Sequence, residues 1–471
     1  MPNTTHIPTD AVLDITVNMG NAASPKVSGE GKDSTILIVG GGTWGISIAY
    51  RLAQRGYTNI TVLDPNDIFS SVAAGNDLNK ILEEPISPPL PEQDDDTYAW
   101  ATIEKLASEV WTTDPIYKPH YHPSGFVYSA VGEDAWARVR AEGERHGEVY
   151  TPLKDAEAFR KTMPEGVLTG DFAGWKGFFR QQRAGWVEAR DALADITTEA
   201  KRLGVRFTTG AMEGRVTKLL YSDLGDAITG AKTEDGKEHL AETTILSAGA
   251  TSSVLLDFED QLRPTAWTLA HVPLEPSEVE LYSDLPVLFG ADRGFFISPP
   301  KSSIMAGKAE LKICDEHPGY INLIPTAKGG KKPVPYQRNA IPRASELKIR
   351  QLLRETMPQL ADRPLLRPRL CWDADTPNRL FLISRHPKLD NLVVAAGGSG
   401  HGFMCSPAVG ILVGDLLEET IEERVRRTLG WRPETAVGRD WFATQGRFGG
   451  SGGVVDLGTV GEGDWFGDDS K

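Results

Sequence analysis

Three glycines and an aspartate near the start of the chain have the spacing of a dinucleotide-binding site. Gly40, Gly42 and Gly45 follow an apolar run, Thr35 to Val39, and Asp64 ends the next apolar run 24 positions after Gly40. The first glycine allows a tight strand-to-helix turn, the second lets the backbone approach a pyrophosphate, and the third lets the helix pack against the sheet. An acid at the position of Asp64 binds the ribose hydroxyls of an adenosine.

The elements around this motif predict a Rossmann-type sheet. Strand, glycines, amphipathic helix, second strand and acid occur in order, which makes the motif specific even in a chain with 48 glycines. A helix over Val187 to Leu203 and strands over Val205 to Thr208, Val216 to Leu220 and Thr244 to Ala248 suggest a return to the same sheet. Near the C-terminus a strand over Asn391 to Ala396, the loop GGSGHGFM and a helix over Pro407 to Leu417 repeat the pattern. No second glycine motif follows an apolar strand, which favours one large cofactor.

Length and composition narrow the class of protein. A chain of 471 residues is expected to form two domains. The net charge of −15 argues against nucleic acid and anionic membranes as partners. Three cysteines do not make a disulfide framework. We expect a cytoplasmic protein without membrane spans, and a peroxisomal location stays open although the last residues carry no clear address for it.

Five segments in this order resemble one known family. They are the glycine motif and the stretches SVAAGNDLNKI, LKICDEHPGY, RLCWDADTPNRLFLI and GGSGHGFM. Together they resemble the fungal fructosyl amino acid oxidases (amadoriases), in the sarcosine oxidase branch of the D-amino acid oxidase superfamily. The resemblance runs from about Ser34 to Leu417. It implies an enzyme that oxidises a secondary amine to an imine with FAD and passes the electrons to O₂, giving hydrogen peroxide.

The resemblance also implies a mixed α/β fold, with a discontinuous, glutathione-reductase-like Rossmann domain for FAD and a mixed-sheet substrate domain. We expect a small-molecule amine and O₂ as partners of a monomer. The predicted division is a disordered leader at 1–33, FAD-binding parts at 34–118, 185–260 and 371–430, substrate-domain parts at 119–184 and 261–370, and a Gly-rich, acidic, poorly packed tail at 431–471.

Four positions are assigned catalytic or cofactor-linking roles by this resemblance. Lys312 matches a lysine below the flavin that activates oxygen, and Cys371 matches a cysteine joined through sulfur to the flavin 8α-methyl carbon. Lys80 matches a basic residue near the flavin N5 edge. Glu316 matches an acid that contacts the substrate amine.

Lys312, Cys371 and Glu316 each have a structural interpretation as well. Lys312 could be a fixed cation beside dioxygen, which lowers the barrier for electron transfer. A surface lysine in a weak ion pair would look the same in the sequence. Cys371 could attach the flavin as a thiolate, and the positive charges of the neighbouring Arg367 and Arg369 would favour that form. Free cysteines, however, are often small buried hydrophobic residues. Glu316 could equally be a surface carboxylate in a turn.

Further cofactor contacts are assigned around these positions. His401 lies in a tight loop, where a structural histidine is as plausible as a flavin contact. The candidates are Gly40, Gly42, Thr43, Trp44, Gly45, Asp64, Ala74, Asn76, Asn79, Lys80, Val216, Ala248, Cys371, Gly398, Gly400, His401, Gly402, Phe403 and Met404.

One position departs from the family pattern. The related loops end in a lysine that binds the substrate carboxylate, and this chain has Met404 there. A missing charge-assisted contact would weaken binding of a free carboxylate by about 1.5–3 kcal/mol. The alternative function is therefore a biosynthetic FAD oxidase of fungal secondary metabolism, oxidising an N-methyl amine for closure of an isoquinoline-type ring. A non-catalytic flavoprotein and an NAD-dependent dehydrogenase are the hypotheses from other classes.

Overall fold

The computed structural model describes residues 31–68, 70, 72–326, 329–441, 444 and 453–467, and covers only the backbone at Glu316 and His317. Apart from its last three residues, the predicted leader lies outside this part of the chain. Within it, no helix is both long enough and apolar enough to cross a membrane.

A six-stranded sheet contains the glycine motif. Four of its five neighbouring strand pairs are parallel, and the fifth joins Leu382–Arg385 antiparallel to Leu392–Ala396 at one edge. All residues of Ile36–Val39 are buried, which explains why this strand is an unbroken apolar run. From edge to edge the strands are Leu382–Arg385, Leu392–Ala396, Thr243–Leu246, Ile36–Val39, Ile60–Asp64 and Arg206–Thr209.

Helices cover one face of this sheet. Ile36 and Ile38 point into the core they form, whereas Leu37 and Val39 belong to a core on the opposite face. The helices of the first core are Thr43–Gln54, Asp95–Thr113, Ala189–Arg202, Ser406–Leu417 and Glu423–Thr428. The other α-helices of the described residues are Glu133–Arg145, Ala156–Arg160, Ser252–Leu255, Lys301–Met305 and Arg343–Thr356.

One predicted strand of the nucleotide sheet was placed wrongly. Val216–Tyr221 does not return to that sheet but forms a separate antiparallel sheet with Ile228–Thr233 and Glu238–Leu240. Only Leu219 of this strand is buried, whereas Thr243–Leu246 is buried throughout. A strand with one residue in the core suits a sheet exposed on one side, not the centre of a parallel sheet.

The second large sheet has nine strands and carries the candidate residues Lys312, Glu316 and Cys371. Its neighbouring strands are Leu366–Asp375, Arg263–Pro273, Glu310–Ile321, Gly294–Ile297, Val287–Gly290, Phe126–Ala130, Lys176–Arg180 and Thr151–Leu153, with Val455–Asp456 beside Glu310–Ile321. A small three-stranded sheet contains Lys80–Glu83, Ala184–Val187 and Tyr121–His122. One two-stranded sheet pairs Leu323–Pro325 with Lys331–Pro333, and another pairs Ala340–Pro342 with Trp465–Gly467.

Two features of the predicted organisation differ from the structure. The boundaries at 184/185 and 370/371 fall inside the strands Ala184–Val187 and Leu366–Asp375, because apolar strand residues continue across both positions. The tail is not poorly packed over its described residues. Leu457 is 3% exposed and Trp465 7% exposed, since both join an apolar cluster against the nine-stranded sheet.

Candidate active site

The turn between strand Ile36–Val39 and helix Thr43–Gln54 requires glycine at two positions, Gly40 and Gly45. Gly40 has a φ of 105°, a conformation that glycine adopts at little cost. A Cβ at Gly45 would lie 1.8 Å from the carbonyl oxygen of Gly40. Gly42 precedes the helix with extended backbone and no side-chain cap, so the first N–H groups are free to bind an anion.

Asp64 lies beside this turn, at the end of the neighbouring strand. Its Oδ2 accepts a hydrogen bond from the backbone N–H of Gly41 at 2.9 Å, and its Oδ1 accepts one from Asn66 at 2.9 Å. Burial raises the pKa of Asp64, although both hydrogen bonds act in the opposite direction. The carboxylate is therefore held where a ribose would meet the sheet.

A cavity of about 1380 Å³ opens in front of the turn. It is larger than the roughly 300–1,000 Å³ of a pocket for one small ligand, so it can hold an extended cofactor and a second molecule. The candidate residues that line it are Gly40, Gly42, Thr43, Trp44, Asp64, Ala74, Lys80, Val216, Ala248, Lys312, Cys371, Gly398, Gly400, His401, Gly402, Phe403 and Met404.

Three candidate cofactor contacts, Gly45, Asn76 and Asn79, are not among the residues that line the cavity. Gly45 packs against the turn, as described. Asn76 accepts a hydrogen bond from Arg190 at its side-chain oxygen, at 2.8 Å. Asn79 is fully buried and its side-chain amide donates to the carbonyl oxygen of Ser298 at 2.5 Å. The catalytic candidate Glu316 is on strand Glu310–Ile321, and its side chain lies outside the described residues.

Two candidate lysines meet at a buried aspartate that the sequence analysis did not single out. Asp77 Oδ2 is 2.5 Å from Lys312 Nζ and 3.0 Å from Lys80 Nζ. Lys312 is 1% exposed and also donates to the carbonyl oxygen of Asn79 at 3.0 Å. Burial alone would raise the pKa of Asp77, but the ammonium groups of Lys312 and Lys80 outweigh it and hold the pKa well below its ordinary value. Two cations thus share one anion on the cavity wall.

His271 completes this buried group and was also missed. It lies opposite Lys312 in the sheet, and its Nε2 is 3.8 Å from Asp77 Oδ1. Burial lowers the pKa of His271, so the ring is neutral and adds no further positive charge. The segment GNDLNK contains Asp77 between two residues that were assigned, so its position in that segment is the one signal that pointed to it.

Cys371 lies on the strand Leu366–Asp375 and its sulfur is 4.0 Å from Lys80 Nζ. The two arginines expected to activate it have other partners. Arg367 pairs with Glu310, and Arg369 donates to the carbonyl oxygen of Asn76 at 3.1 Å. The cation placed beside this sulfur is therefore Lys80, from a distant part of the chain.

The C-terminal glycine loop closes another side of the cavity. Trp44 Nε1 donates to the carbonyl oxygen of Gly402 at 2.7 Å, and Trp111 Nε1 donates to that of Met404 at 2.7 Å. The backbone N–H of Gly400 donates to Asp373 at 2.5 Å. Indole groups on the helices Thr43–Gln54 and Asp95–Thr113 thereby fix the loop that follows strand Leu392–Ala396.

Carboxyl groups gather at a further part of the cavity, and none of them was predicted. Glu83, Glu104 and Glu142 line it together with Arg180. Burial raises the pKa of Glu83 to about 7 and, with the charge of Glu83, that of Glu104 to about 7. They lie on three separate elements, so no spacing in the sequence brings them together.

The shape and donors of the cavity fit a dinucleotide cofactor. The side-chain-free turn provides backbone N–H groups for a pyrophosphate, Asp64 provides an acceptor for ribose, and the volume continues as far as Cys371 and Lys312. The family profile described as FAD dependent oxidoreductase matches residues 35–416. The chain belongs to the FAD dependent oxidoreductases.

Similar proteins agree with this assignment. The crystal structure of fructosyl amine:oxygen oxidoreductase (amadoriase I) from Aspergillus fumigatus is 48% identical, with a TM-score of 0.87 over 93% of this chain and 98% of that chain. L-saccharopine oxidase of Schizosaccharomyces pombe is 27% identical over 85% of this chain and 93% of its own. Monomeric sarcosine oxidase of Bacillus sp. is 23% identical over 81% of this chain and 91% of its own.

These comparisons decide several of the predictions. The mixed α/β fold, the use of FAD, and the resemblance to amadoriases and sarcosine oxidases are confirmed. The protein is an FAD-dependent oxidoreductase of the group that contains those amine oxidases. The roles of individual residues and the division into domains stay predictions.

Proposed function

We propose that this protein is an oxidase of secondary amines that uses dioxygen as electron acceptor and holds FAD through Cys371. The observation that carries the proposal is the buried ammonium of Lys312 on the cavity wall, fixed by Asp77 and by the carbonyl oxygen of Asn79. When bound, FAD would accept the two electrons of the substrate's C–H bond next to nitrogen as the amine becomes an imine, and would pass them with two protons to dioxygen, which gives hydrogen peroxide.

The residues that would hold the cofactor noncovalently follow strands of the six-stranded sheet. The turn at Gly40 and Gly42 would bind its pyrophosphate and Asp64 its ribose, because these groups meet at the carboxyl ends of parallel strands. The loop around Gly400, fixed by Trp44 and Trp111, would lie against the ring system.

Lys312 is suited to stabilise the negative charge that develops on dioxygen. Its side chain is 1% exposed, so the surrounding dielectric screens its charge weakly. Two fixed oxygen partners hold the ammonium group in place, so it needs no reorganisation when charge appears. Lys80 adds a second cation to the same wall.

Cys371 is the cysteine best placed to bind a cofactor covalently. It lines the cavity, is half-buried and has an ammonium group 4.0 Å from its sulfur. Cys405 offers a contrast, because complete burial raises the pKa of its thiol well above the ordinary value.

The names of the similar proteins support an amine as substrate, since they act as fructosyl amine, saccharopine and sarcosine oxidases. Met404 lines the cavity where a lysine was expected, which favours amines without a free carboxylate at that point. The contact of Glu316 with the amine, the biosynthetic alternative, the monomeric state and the cytoplasmic location stay predictions.

Replacing Lys312 by Met tests the proposed use of dioxygen. Loss of one fixed charge should slow reoxidation of the reduced enzyme about a hundredfold, as removal of one preorganised donor does elsewhere. Stopped-flow absorbance separates this step from anaerobic reduction by the amine, which should change far less. Lys218→Met, on an exposed strand position, is the matched control. Normal reoxidation in the Lys312 variant would refute the role.

Denaturation tests the covalent attachment. Unfolded wild-type protein should keep a yellow, fluorescent chain after ultrafiltration, and Cys371→Ser should release all flavin into the filtrate. Cys405→Ser should behave like the wild type. A colourless wild-type chain would refute attachment without touching the proposed oxidation.

A further inference from the structure

The segment 453–467 packs on the outside of the cofactor cavity, and the mechanism above gives it no role. Its strand Val455–Asp456 pairs with the end of strand Glu310–Ile321, which also carries the lysine of the cavity wall. Its strand Trp465–Gly467 pairs antiparallel with Ala340–Pro342. The segment is therefore fastened to the chain before and after the stretch that connects these two partners.

That connecting stretch contains a part of the cavity wall that reaches the solvent. All four residues of 334–337 line the cavity, and Gln337 is exposed. Residues of a second stretch, 250–255, line it as well, and Val254 is 48% exposed. Ala250 and Tyr336 pack into one apolar cluster, so the two stretches form one rim of the cavity.

This rim lies between the two ends of the proposed cofactor position. The stretch 250–255 begins just after Ala248, whose Cα would lie 2.7 Å from a Cβ at Gly40 in the glycine turn. On the other side, the carbonyl oxygen of Tyr336 accepts a hydrogen bond from Trp372 Nε1 at 2.5 Å, and Trp372 directly follows Cys371. An FAD that reaches from the glycine turn to Cys371 would therefore run along this rim.

Trp465 is the main attachment of the segment to the rim. It is 7% exposed and packs into the apolar cluster of the rim together with Leu457. Arg338, just after the cavity-lining stretch, places its guanidinium carbon 4.0 Å from the centre of the Trp465 ring, a stabilising cation–π contact. The ion pair of Arg338 with Glu462 at 3.0 Å contributes little, because Glu462 is 88% exposed.

The attachment is separable from the large sheets. Within the described part of the chain, Ala340–Pro342 pairs with no strand other than Trp465–Gly467. A two-stranded pairing contributes little stability by itself. Regions with few such contacts open locally more often than a protein unfolds as a whole. Opening here would free the outer side of the rim and leave both large sheets intact.

We propose that the segment 453–467 is a strap that closes the cofactor cavity and controls the entry and release of FAD, with Trp465 as its fastening residue. The inference rests on the use of FAD and depends neither on an amine as substrate nor on the role of Lys312. FAD passes the rim while the strap is undocked and is retained while it is docked.

Exchange of FAD tests the strap. The variant Cys371→Ser serves as background, because its flavin can be released whether or not the thiol binds it in the wild type. Adding Trp465→Ala should make FAD both enter the flavin-free protein and leave the loaded protein about tenfold faster, because loss of a buried indole favours local opening. Stopped-flow measurement of FAD fluorescence gives both rates. They should rise together, since the strap lies on the path in both directions.

Trp175→Ala is the matched control for the loss of an indole. Trp175 is 4% exposed, belongs to a separate apolar cluster and is not among the residues that line the cavity. Its removal should lower the thermal unfolding temperature as Trp465→Ala does, because both changes leave a cavity in a packed core. Both FAD rates should stay unchanged.

A second pair of variants tests the strap without removing an aromatic ring. A Cβ at Gly467 would lie 2.7 Å from Pro368 and 2.8 Å from the carbonyl oxygen of Asn339, so Gly467→Ala should loosen the strap and speed FAD exchange. A Cβ at Gly463 would meet no atom within 4 Å, so Gly463→Ala should leave the exchange unchanged.

The outcomes separate this inference from the proposed function. Unchanged FAD rates in the folded strap variants, faster release without faster entry, or equal acceleration in Trp175→Ala would overturn the strap. So would loss of folding in both Trp465→Ala and Gly467→Ala, or failure of Cys371→Ser alone to retain FAD. Parallel acceleration in a protein that forms no hydrogen peroxide with any amine would support the strap and refute the oxidase.

Discussion

Asp77→Asn should destabilise the folded protein strongly, because it removes the anion shared by the buried Lys312 and the half-buried Lys80. The amide keeps the shape of the side chain but leaves Lys312 and Lys80 without a counter-charge. Removing one partner of a buried pair costs about 3–5 kcal/mol in free energy of unfolding. With ammonium groups at 2.5 Å and 3.0 Å from the same oxygen, we expect the upper half of that range.

The effect should also depend on pH. The folded-state pKa of Asp77 lies well below its ordinary value of about 3.9, so its contribution is complete above that value and is lost as the pH falls through the folded pKa. The stability gap between wild type and variant should therefore be constant near neutrality and narrow on acidification.

Urea denaturation followed by circular dichroism measures this gap. Adding Lys312→Met to Asp77→Asn should restore part of the loss, because it removes one of the two uncompensated cations. Glu157→Gln is the control, since its ion pair with Lys161 spans 2.5 Å but is exposed, and no change is expected. A loss below about 1 kcal/mol at neutral pH, or no recovery in the double variant, would refute the shared-anion interpretation.

Two further predictions concern the frame around the site. Gly45→Ala should cost about 1–3 kcal/mol or more and release flavin on purification, because its Cβ would lie 1.8 Å from the backbone oxygen of Gly40; thermal unfolding and the absorbance at the flavin band measure both effects. Glu188→Gln should weaken the loss of stability that occurs as the pH rises above the ordinary histidine pKa of about 6.5. Burial would lower the pKa of His120 and His122, but Glu188 and Asp195 raise that of His120, and Asp284 and Glu188 raise that of His122. Wild-type stability from this cluster is therefore present below the ordinary histidine pKa and lost as the pH rises through the folded values.

Local patterns predicted the fold around the glycine turn well. The glycine turn and the strand that ends in Asp64 depend on neighbours within a few residues, so their spacing is visible in the sequence. The helix expected over Val187 to Leu203 is observed at Ala189–Arg202, because its apolar period is also local.

The residues that sequence patterns missed depend on contacts between distant segments. Asp77 matters because Lys312, 235 positions later, reaches it from another sheet. Glu83 and Glu104 line one cavity only after folding, because they lie on a strand and on a separate helix. The packing of Trp465 follows from its pairing with Ala340–Pro342, which the glycine-rich composition of the tail obscured.

The position of strand Leu392–Ala396 has a consequence for biosynthesis. It pairs with Thr243–Leu246 and therefore completes the six-stranded sheet only after most of the chain has left the ribosome. Until then the nascent protein carries Thr243–Leu246 as an apolar edge, a template for unwanted pairing with other chains. Translation that stops before residue 392 would yield an aggregation-prone fragment rather than a weaker enzyme, and the growing polypeptide needs protection over that interval.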